Sequence, residues 1–408
     1  MEQYDVVVVG GGPSGAAVAR DIAATGYRVA ILERDRDIGQ PVQCSGLVTE
    51  RTLAAAGISR EIAHNQLVGA AIHAPSGARY DIGGDRVHAY VLDRTTFDLG
   101  MMIQALELNV DVHASARVID ITRDRDRLRL TVETNGTTSV VSTCLVIGAD
   151  GPRSIVAQYL ELPPPVEVLR ARGADVRLPA RLAQDQVLIF TGERYAAGFF
   201  AWLIPLGGDR YRLGWGTSRP GSAQTLRNLT DDYPNIFNGM EILSQTGGLI
   251  PLGPRPVTSG AGGMVVGDAA GQAKATSGGG LFTALTCARH CAQTALDALR
   301  ANDFSAEKLS SYDRDWREDI GVELEHATAL RSAYRELTDA DLDLGLRMLR
   351  FRGMRAIVNR YGDIDYPSVL AARALGAAPS LLRLAHGRGN LRSFLGESVA
   401  SVVSASSD

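Results

Sequence analysis

Lysine is nearly absent from this chain. Of its 42 basic residues only Lys274 and Lys308 are lysines, and the other 40 are arginines. Any chemistry that depends on a lysine early in the chain is excluded. Cysteine is scarce as well: Cys44, Cys144, Cys287 and Cys291 are too few for a disulfide scaffold and favour a reducing compartment. No run approaches the ~20 apolar residues of a membrane-crossing helix. The opening segment through Val6–Val9 reads as a strand start, without the basic n-region or cleavage site of a signal peptide. Excess positive charge is missing too. The formal net charge is −4, which argues against a nucleic-acid partner. What remains is ordinary globular composition, 45% hydrophobic and 22% charged, which rules out disorder as the main state. The 408 residues suit two domains, consecutive or interleaved. The expected location is the cytoplasm, with association at the inner face of a membrane left open.

Residues Tyr4 to Gly10 read as a buried strand because Val6–Val9 is a continuous β-branched run. A glycine-rich turn follows, then a helix from Pro13 to Thr25 with Ala16, Ala19, Ile22 and Ala23 on one face. Gly26 ends it, and Arg28–Glu33 is the next strand, which completes a β-α-β unit. Thr95–Leu108 reads as a helix. Arg127–Glu133 and Ser139–Ile147 read as a hairpin around Asn135-Gly136. Residues 166–256 change character: aromatic-bearing segments separated by glycine turns predict an antiparallel sheet. Beyond Asn302 the chain is mostly helical and arginine-rich, ending in a serine-rich tail, Ser398–Ser407, expected to fray.

Gly10-Gly11-Gly12-Pro13-Ser14-Gly15 fits G-x-G-x-x-G between a strand and a helix. Gly10 permits the tight turn, Gly12 lets a pyrophosphate approach the backbone, and Gly15 lets helix and strand pack closely. The helix N-terminus offers unpaired N–H groups to phosphates. Glu33, at the end of the second strand, is placed to accept hydrogen bonds from ribose hydroxyls. This unit alone does not choose between NAD and FAD. Two distant segments do. Cys144–Gly151 is a strand ending in Asp-Gly. Met264–Asp268 is a strand ending in Gly-Asp, followed by Ser277-Gly278-Gly279-Gly280-Leu281 at a helix start. Asp268 could hold a ribityl hydroxyl, and the second helix N-terminus could face the pyrophosphate or the flavin pyrimidine. Two nucleotide-facing sites far apart in sequence suit an extended ligand such as FAD.

These three motifs resemble the flavoproteins that include aromatic hydroxylases, flavin halogenases and geranylgeranyl reductases. Within that group the chain is most similar to the geranylgeranyl reductase family, archaeal lipid-reductase type, from residue 4 to about residue 335. Three segments carry the resemblance: Pro41-Val42-Gln43-Cys44 as the family's Pro-x-x-Cys loop, Arg94-Thr95-Thr96-Phe97-Asp98 as its Arg-x-x-Phe-Asp element, and Gly267-Asp268 through Leu281 as its third flavin motif. The implied fold is α/β (α+β): a Rossmann-like FAD-binding domain of the aromatic-hydroxylase type (1–165 and 257–300), an antiparallel-sheet substrate domain (166–256) and a helical C-terminal region (301–408). The implied FAD contacts fall on Ser14, Glu33, Cys44, Ser45, Leu47, Arg94, Val118, Asp268, Gly280 and Leu281, beside Gly10, Gly12 and Gly15. The family's Tyr-x-Trp-x-Phe-Pro element reads here as Phe200-Ala201-Trp202-Leu203-Ile204-Pro205. Trp202 and Pro205 match; Phe200 and Ile204 depart, so no tyrosine hydroxyl is implied. On a strand, residues 200, 202 and 204 share one face. That face would be a wholly apolar wall suited to an isoprenoid tail, or simply core.

The resemblance implies an FAD-dependent reductase that hydrogenates C=C bonds of a geranylgeranyl chain. An isolated prenyl double bond is not electrophilic, so hydride and proton must reach its two carbons nearly together, away from water. Cys44 is the catalytic candidate. A thiol, mostly protonated at neutral pH, can donate a proton or shape the site; the alternative is a small residue packed on the flavin. NAD(P)H or ferredoxin would supply electrons. An aromatic monooxygenase and a non-catalytic flavin- and lipid-binding protein remain as alternatives. A halogenase, partly echoed by Trp202-x-Ile204-Pro205, would need an early lysine that this chain lacks. Cys287, His290 and Cys291 stand at helical spacing and read as core, so no metal site is expected. His64, His73, His88 and His113 are scattered without a carboxylate pattern. The arginines of 314–317 and 347–355 read as solvated helix faces, with lipid phosphates as the alternative partner.

Overall fold

The continuous run Val6–Val9 is apolar at every position because both faces of its strand are covered. In a computed structural model describing residues 2–218 and 224–377, β1 (Glu2–Val9) is the central strand of an eight-stranded sheet. Val6 and Val8 pack against Ala16, Ala19 and Ile22 of α1 (Pro13–Ala23) and against the long helix Leu281–Ala301. Val7 and Val9 pack on the other side with Ile121, Leu130 and Val146. β1 pairs in parallel with β2 (Val29–Leu32) and with Thr137–Gly148, and Gly263–Val265 pairs in parallel beyond that. Burial on both faces is the usual condition of a parallel sheet. Asn135 and Gly136 both have positive φ, +50° and +78°, and close the hairpin between Arg127–Thr134 and Thr137–Gly148.

A second sheet has seven strands, ordered Glu241–Leu252, Glu167–Arg177, Arg210–Thr217, Phe200–Gly207, Gln186–Thr191, Gly69–His73 and Arg79–Gly83. Two of these departed from expectation. Gly69–His73 and Arg79–Gly83 come from the N-terminal third of the chain, and Gln186–Thr191 runs parallel to Gly69–His73, so the sheet is mixed. Gly-Ala-Ala-Ile-His has little β-branched content. It becomes a strand because Gln186–Thr191 offers it an unpaired edge. One face of this sheet is closed by Phe190, Leu203, Leu213 and Phe237, each at most 2% exposed. Each contributes about 2 kcal/mol of transfer free energy.

The C-terminal helices bridge the two sheets. Trp316 is fully buried in the first core and donates its indole N–H to Thr258. Arg331, on the next helix (Val322–Tyr334), pairs with Glu167 of the second sheet at 3.0 Å, and Tyr334 donates to the Phe199 carbonyl at 2.6 Å. The expected tail Ser398–Ser407 lies outside the described residues.

Candidate functional site

The three sequence motifs meet at the C-terminal ends of the parallel strands. Gly10, at φ +102°, has no room for a side chain, because a Cβ there would stand 2.3 Å from the Ala149 carbonyl oxygen of the second motif. A Cβ on Gly15 would stand 2.1 Å from Gly10 O. A Cβ on Gly12, by contrast, would meet nothing within 4 Å. No side chain caps α1, and Pro13 occupies its first position. The helix N-terminus is therefore open and its N–H groups are free for an anion. The Ser14 hydroxyl lies against Gly267, which joins the first motif to the third. An open glycine cradle at a helix start, bordered by a carboxylate on each side, fits a dinucleotide.

Those carboxylates are Glu33 and Asp268. The Glu33 oxygens accept from Gly11 N at 2.6 Å and Asp35 N at 2.8 Å, which fixes the carboxylate while leaving lone pairs unused. Asp268 is exposed to the cleft but crowded by protein on its remaining sides. That desolvation pushes its carboxyl up to about 6, and Arg94 opposes the rise. Gly280, at the start of helix Leu281–Ala301, stands near it: a Cβ there would be 3.7 Å from an Asp268 oxygen. Val118 turns its side chain into the core, 7% exposed, leaving only its main chain for a ligand.

Arg94 opens the helix Arg94–Glu107, whose start is capped by Asp93. Its guanidinium binds Asp98 through two bonds, at 3.1 and 3.0 Å. Burial pulls the guanidinium down, but Cys44 and Asp98 beside it reverse this and leave it raised. Cys44 itself is half-buried, and its sulfur accepts from Gly46 N at 3.4 Å. Ser45 accepts from Leu47 N, and Leu47–Val48 forms a short strand against Ala89–Leu92.

The second sheet presents its other face to this loop. Leu47 packs in one cluster with Val91, Ile204 and Trp202. Phe200 and Trp202 also pack beside Ala275 of the third motif. The aromatic pair thus stands between the Cys44 loop and the glycine-rich loop, with ring centroids 5.8 Å apart. Phe200 and Trp202 are half-buried, whereas Ile204 is 1% exposed and Pro205 is buried. The latter two back the wall and do not line it.

The wall is also not wholly apolar. Register places Arg212 opposite both Ile204 and Asp175 on that face. The Arg212 guanidinium binds Asp175 at 2.7 and 3.1 Å and donates to the Cys44 and Ser45 carbonyls, each at 3.3 Å. Sequence reasoning missed this pair. Little in the sequence signals it, because Arg212 shares its strand face with Arg210, Gly214 and Gly216, a pattern that reads as a solvent face.

Carboxylates face several of the histidines. His64, His88 and His290 each have an aspartate partner, Asp93, Asp85 and Asp319. The His73 ring stacks on Phe190 with neither nitrogen hydrogen-bonded, and burial lowers it to about 4, a neutral core histidine. Cys287 and Cys291 are fully buried, and among the described residues no cluster of ligands suits a metal. An open groove of about 760 Å³, lined by Arg177, Pro179, Arg181, Gln184 and Glu241 among others, holds none of the residues expected to form the site.

The FAD binding domain family matches residues 3–239. A digeranylgeranylglycerophospholipid reductase of Methanopyrus kandleri is 30% identical over 399 residues, covering 94% of this chain and 98% of that protein. Among solved structures, a geranylgeranyl bacteriochlorophyll reductase-like protein of Thermoplasma acidophilum superimposes with a TM-score of 0.82 at 21% identity, over 94% of this chain and 98% of that one. A p-nitrophenol 4-monooxygenase of Pseudomonas putida shares the fold with a TM-score of 0.70 at 18% identity, over 92% and 98%.

Proposed function

The chain belongs to the FAD binding domain family and to the family of digeranylgeranylglycerophospholipid reductases, and from that membership we infer that it is an FAD-dependent oxidoreductase hydrogenating C=C bonds of a geranylgeranyl chain on a lipid. One observation carries the reading. The partly open aromatic pair Phe200 and Trp202 packs between the Cys44 loop and the third glycine motif, so an apolar chain and a dinucleotide would share one cleft.

Gly10, Gly12, Ser14 and Gly15 would take the pyrophosphate at the α1 N-terminus, and Glu33 the ribose. Asp268, Gly280 and Leu281 would take the ribityl and pyrimidine side, with Ser45, Leu47 and Arg94 along the ring and Val118 meeting the ligand through its main chain. Reduced FAD, when bound, supplies the hydride for one alkene carbon. Phe200 and Trp202 exclude water and orient the chain. Cys44 holds a proton at Sγ for the other carbon, and Arg94 and Arg212 keep its loop in place. Reducing equivalents come from NAD(P)H or a ferredoxin, which anaerobic mixing with each donor separates by bleaching of the flavin. Exposed Phe351, flanked by the exposed Arg350, Arg352 and Arg355, supports peripheral contact with an anionic lipid surface. Among the described residues no helix is long and apolar enough to cross a membrane.

Mass spectrometry of a geranylgeranyl lipid after incubation with the dithionite-reduced protein tests the activity. Gain of one H2 per double bond is expected. Gain of oxygen, once air is admitted, would make the protein a monooxygenase, and an unchanged lipid a carrier.

A further inference from the structure

Lys274, one of the chain's two lysines, is only 3% exposed. A buried ammonium is strongly destabilising unless a carboxylate meets it. Here its Nζ donates to Asp365 Oδ1 and to the Ile364 carbonyl, each at 2.8 Å. Asp365 is itself 2% exposed, and its second oxygen accepts the Thr49 hydroxyl at 2.5 Å. One carboxylate therefore joins two loops that are remote in sequence.

Each loop leads into the site. Lys274 opens the turn that ends at Gly280: its carbonyl accepts from Gly278 N at 2.8 Å and its N–H donates to Gly279 O at 3.1 Å. Thr49 directly follows Leu47–Val48 and caps the helix Glu50–Ala56, which fixes the far end of the Cys44 loop. Both loops pass through left-handed glycines, Gly46 at φ +74° and Gly278 at φ +71°, where the backbone has least intrinsic stiffness. Asp365 is held firmly enough to restrain them. Its N–H donates to Asp363 at 2.8 Å, Arg51 binds Asp363 at 2.8 Å, and Ser368 is anchored on Glu323.

We propose that Asp365 is a positioning residue for the flavin site. Through it the segment 363–368 sets the spacing between the Cys44 loop and the glycine-rich helix start. The proposal rests on the reading that those two segments hold FAD. The matched FAD binding domain ends at residue 239, so neither Lys274 nor Asp365 falls within it.

Dissociation constants for FAD, from flavin fluorescence on the full chain, test it. Asp365→Asn keeps the side-chain shape but leaves the Lys274 ammonium without the carboxylate bonded to it. It is expected to raise the FAD Kd about tenfold or more. Thr49→Val removes the bond to the strut together with the N-cap of Glu50–Ala56 and is expected to raise the Kd about threefold, with Thr49→Ser restoring both bonds and the wild-type value. If Asp365→Asn does not fold, the Thr49 pair decides the matter. Melting temperatures that fall while both Kd values stay within about twofold of wild type would overturn the proposal and leave Asp365 as a fold contact. Asp268→Asn serves as a control in the same series. If it fails to weaken FAD, the underlying reading of the loops is lost; if it weakens FAD while the Asp365 and Thr49 variants do not, the strut alone is lost.

Discussion

Replacing Arg212 by methionine removes a cation while keeping most of the aliphatic stem. Two losses follow. The first is the ion pair with Asp175, whose side chains are 15% and 22% exposed. At that depth the pair is neither fully screened nor fully buried, and stranding Asp175 costs about 1–2 kcal/mol. The second is the pair of bonds to the Cys44 and Ser45 carbonyls. At 3.3 Å both are long, and together they contribute about 1 kcal/mol. Unfolding in urea should therefore show a loss of about 2–3 kcal/mol in the variant. Turnover should suffer more than stability does. A shift of about 1 Å in the Cys44 loop can lower the hydrogenation rate about 10²-fold. Arg212→Lys keeps the charge but cannot bind Asp175 bidentately and reach both carbonyls, so its rate should fall between the two. Combining Arg212→Met with Cys44→Ala should cost little more turnover than Cys44→Ala alone, because both changes act on one thiol. An Arg212→Met protein with wild-type unfolding free energy and turnover within about twofold would refute the argument.

Three further outcomes follow from the same geometry. Cys44→Ala should retain bound FAD, seen as an unchanged visible absorption band, yet lose most alkene reduction; undiminished turnover would remove the thiol from the chemistry. Gly15→Ala drives a methyl into the Gly10 carbonyl at 2.1 Å, so α1 must move and the purified protein should be colourless; a yellow protein with normal flavin content would contradict the packing. Asp268 carries a carboxyl raised from 3.8 to about 6 in the cofactor-free chain. The folded state then binds more protons than the unfolded one between those values, and stability falls as pH rises through that window. Asp268→Asn should accordingly raise the melting temperature of cofactor-free protein at pH 7.5 and leave it unchanged near pH 3.5. An equal gain at both pH values would contradict the assignment.

The legible parts of the fold were those encoded by neighbours in sequence. Val6–Val9, the Gly10–Gly15 turn, α1 and the Asn135-Gly136 hairpin each announce themselves within a dozen residues, because β-branched runs, helical periodicity and glycine turns are local signals. What escaped depends on pairing at long range. The strand Gly69–His73 has weak intrinsic preference and takes its conformation from the edge supplied by Gln186–Thr191. Arg212 acquires its meaning only once register sets it opposite Asp175, and Lys274 only once Asp365 reaches it from beyond the last helix of either core. That Phe200, Trp202 and Ile204 share one strand face was readable from alternation. The depth of Ile204 was not, since it is decided by Leu67 and Val91 on two other strands.

The threading of the backbone has a consequence for how this protein can be taken apart. The polypeptide begins in the eight-stranded sheet, detours through Gly69–Gly83 to build one margin of the seven-stranded sheet, returns for Asp111–Gly148, departs again for Glu167–Leu252 and comes back for Ser259–Val265. No single scission releases either layer whole. A nick in a surface connection should yield fragments that co-elute under native conditions and separate only in denaturant. Recombination between relatives faces the same rule: exchanging the seven-stranded layer requires two inserts moved together, because either one alone would leave a seam with no matching strand.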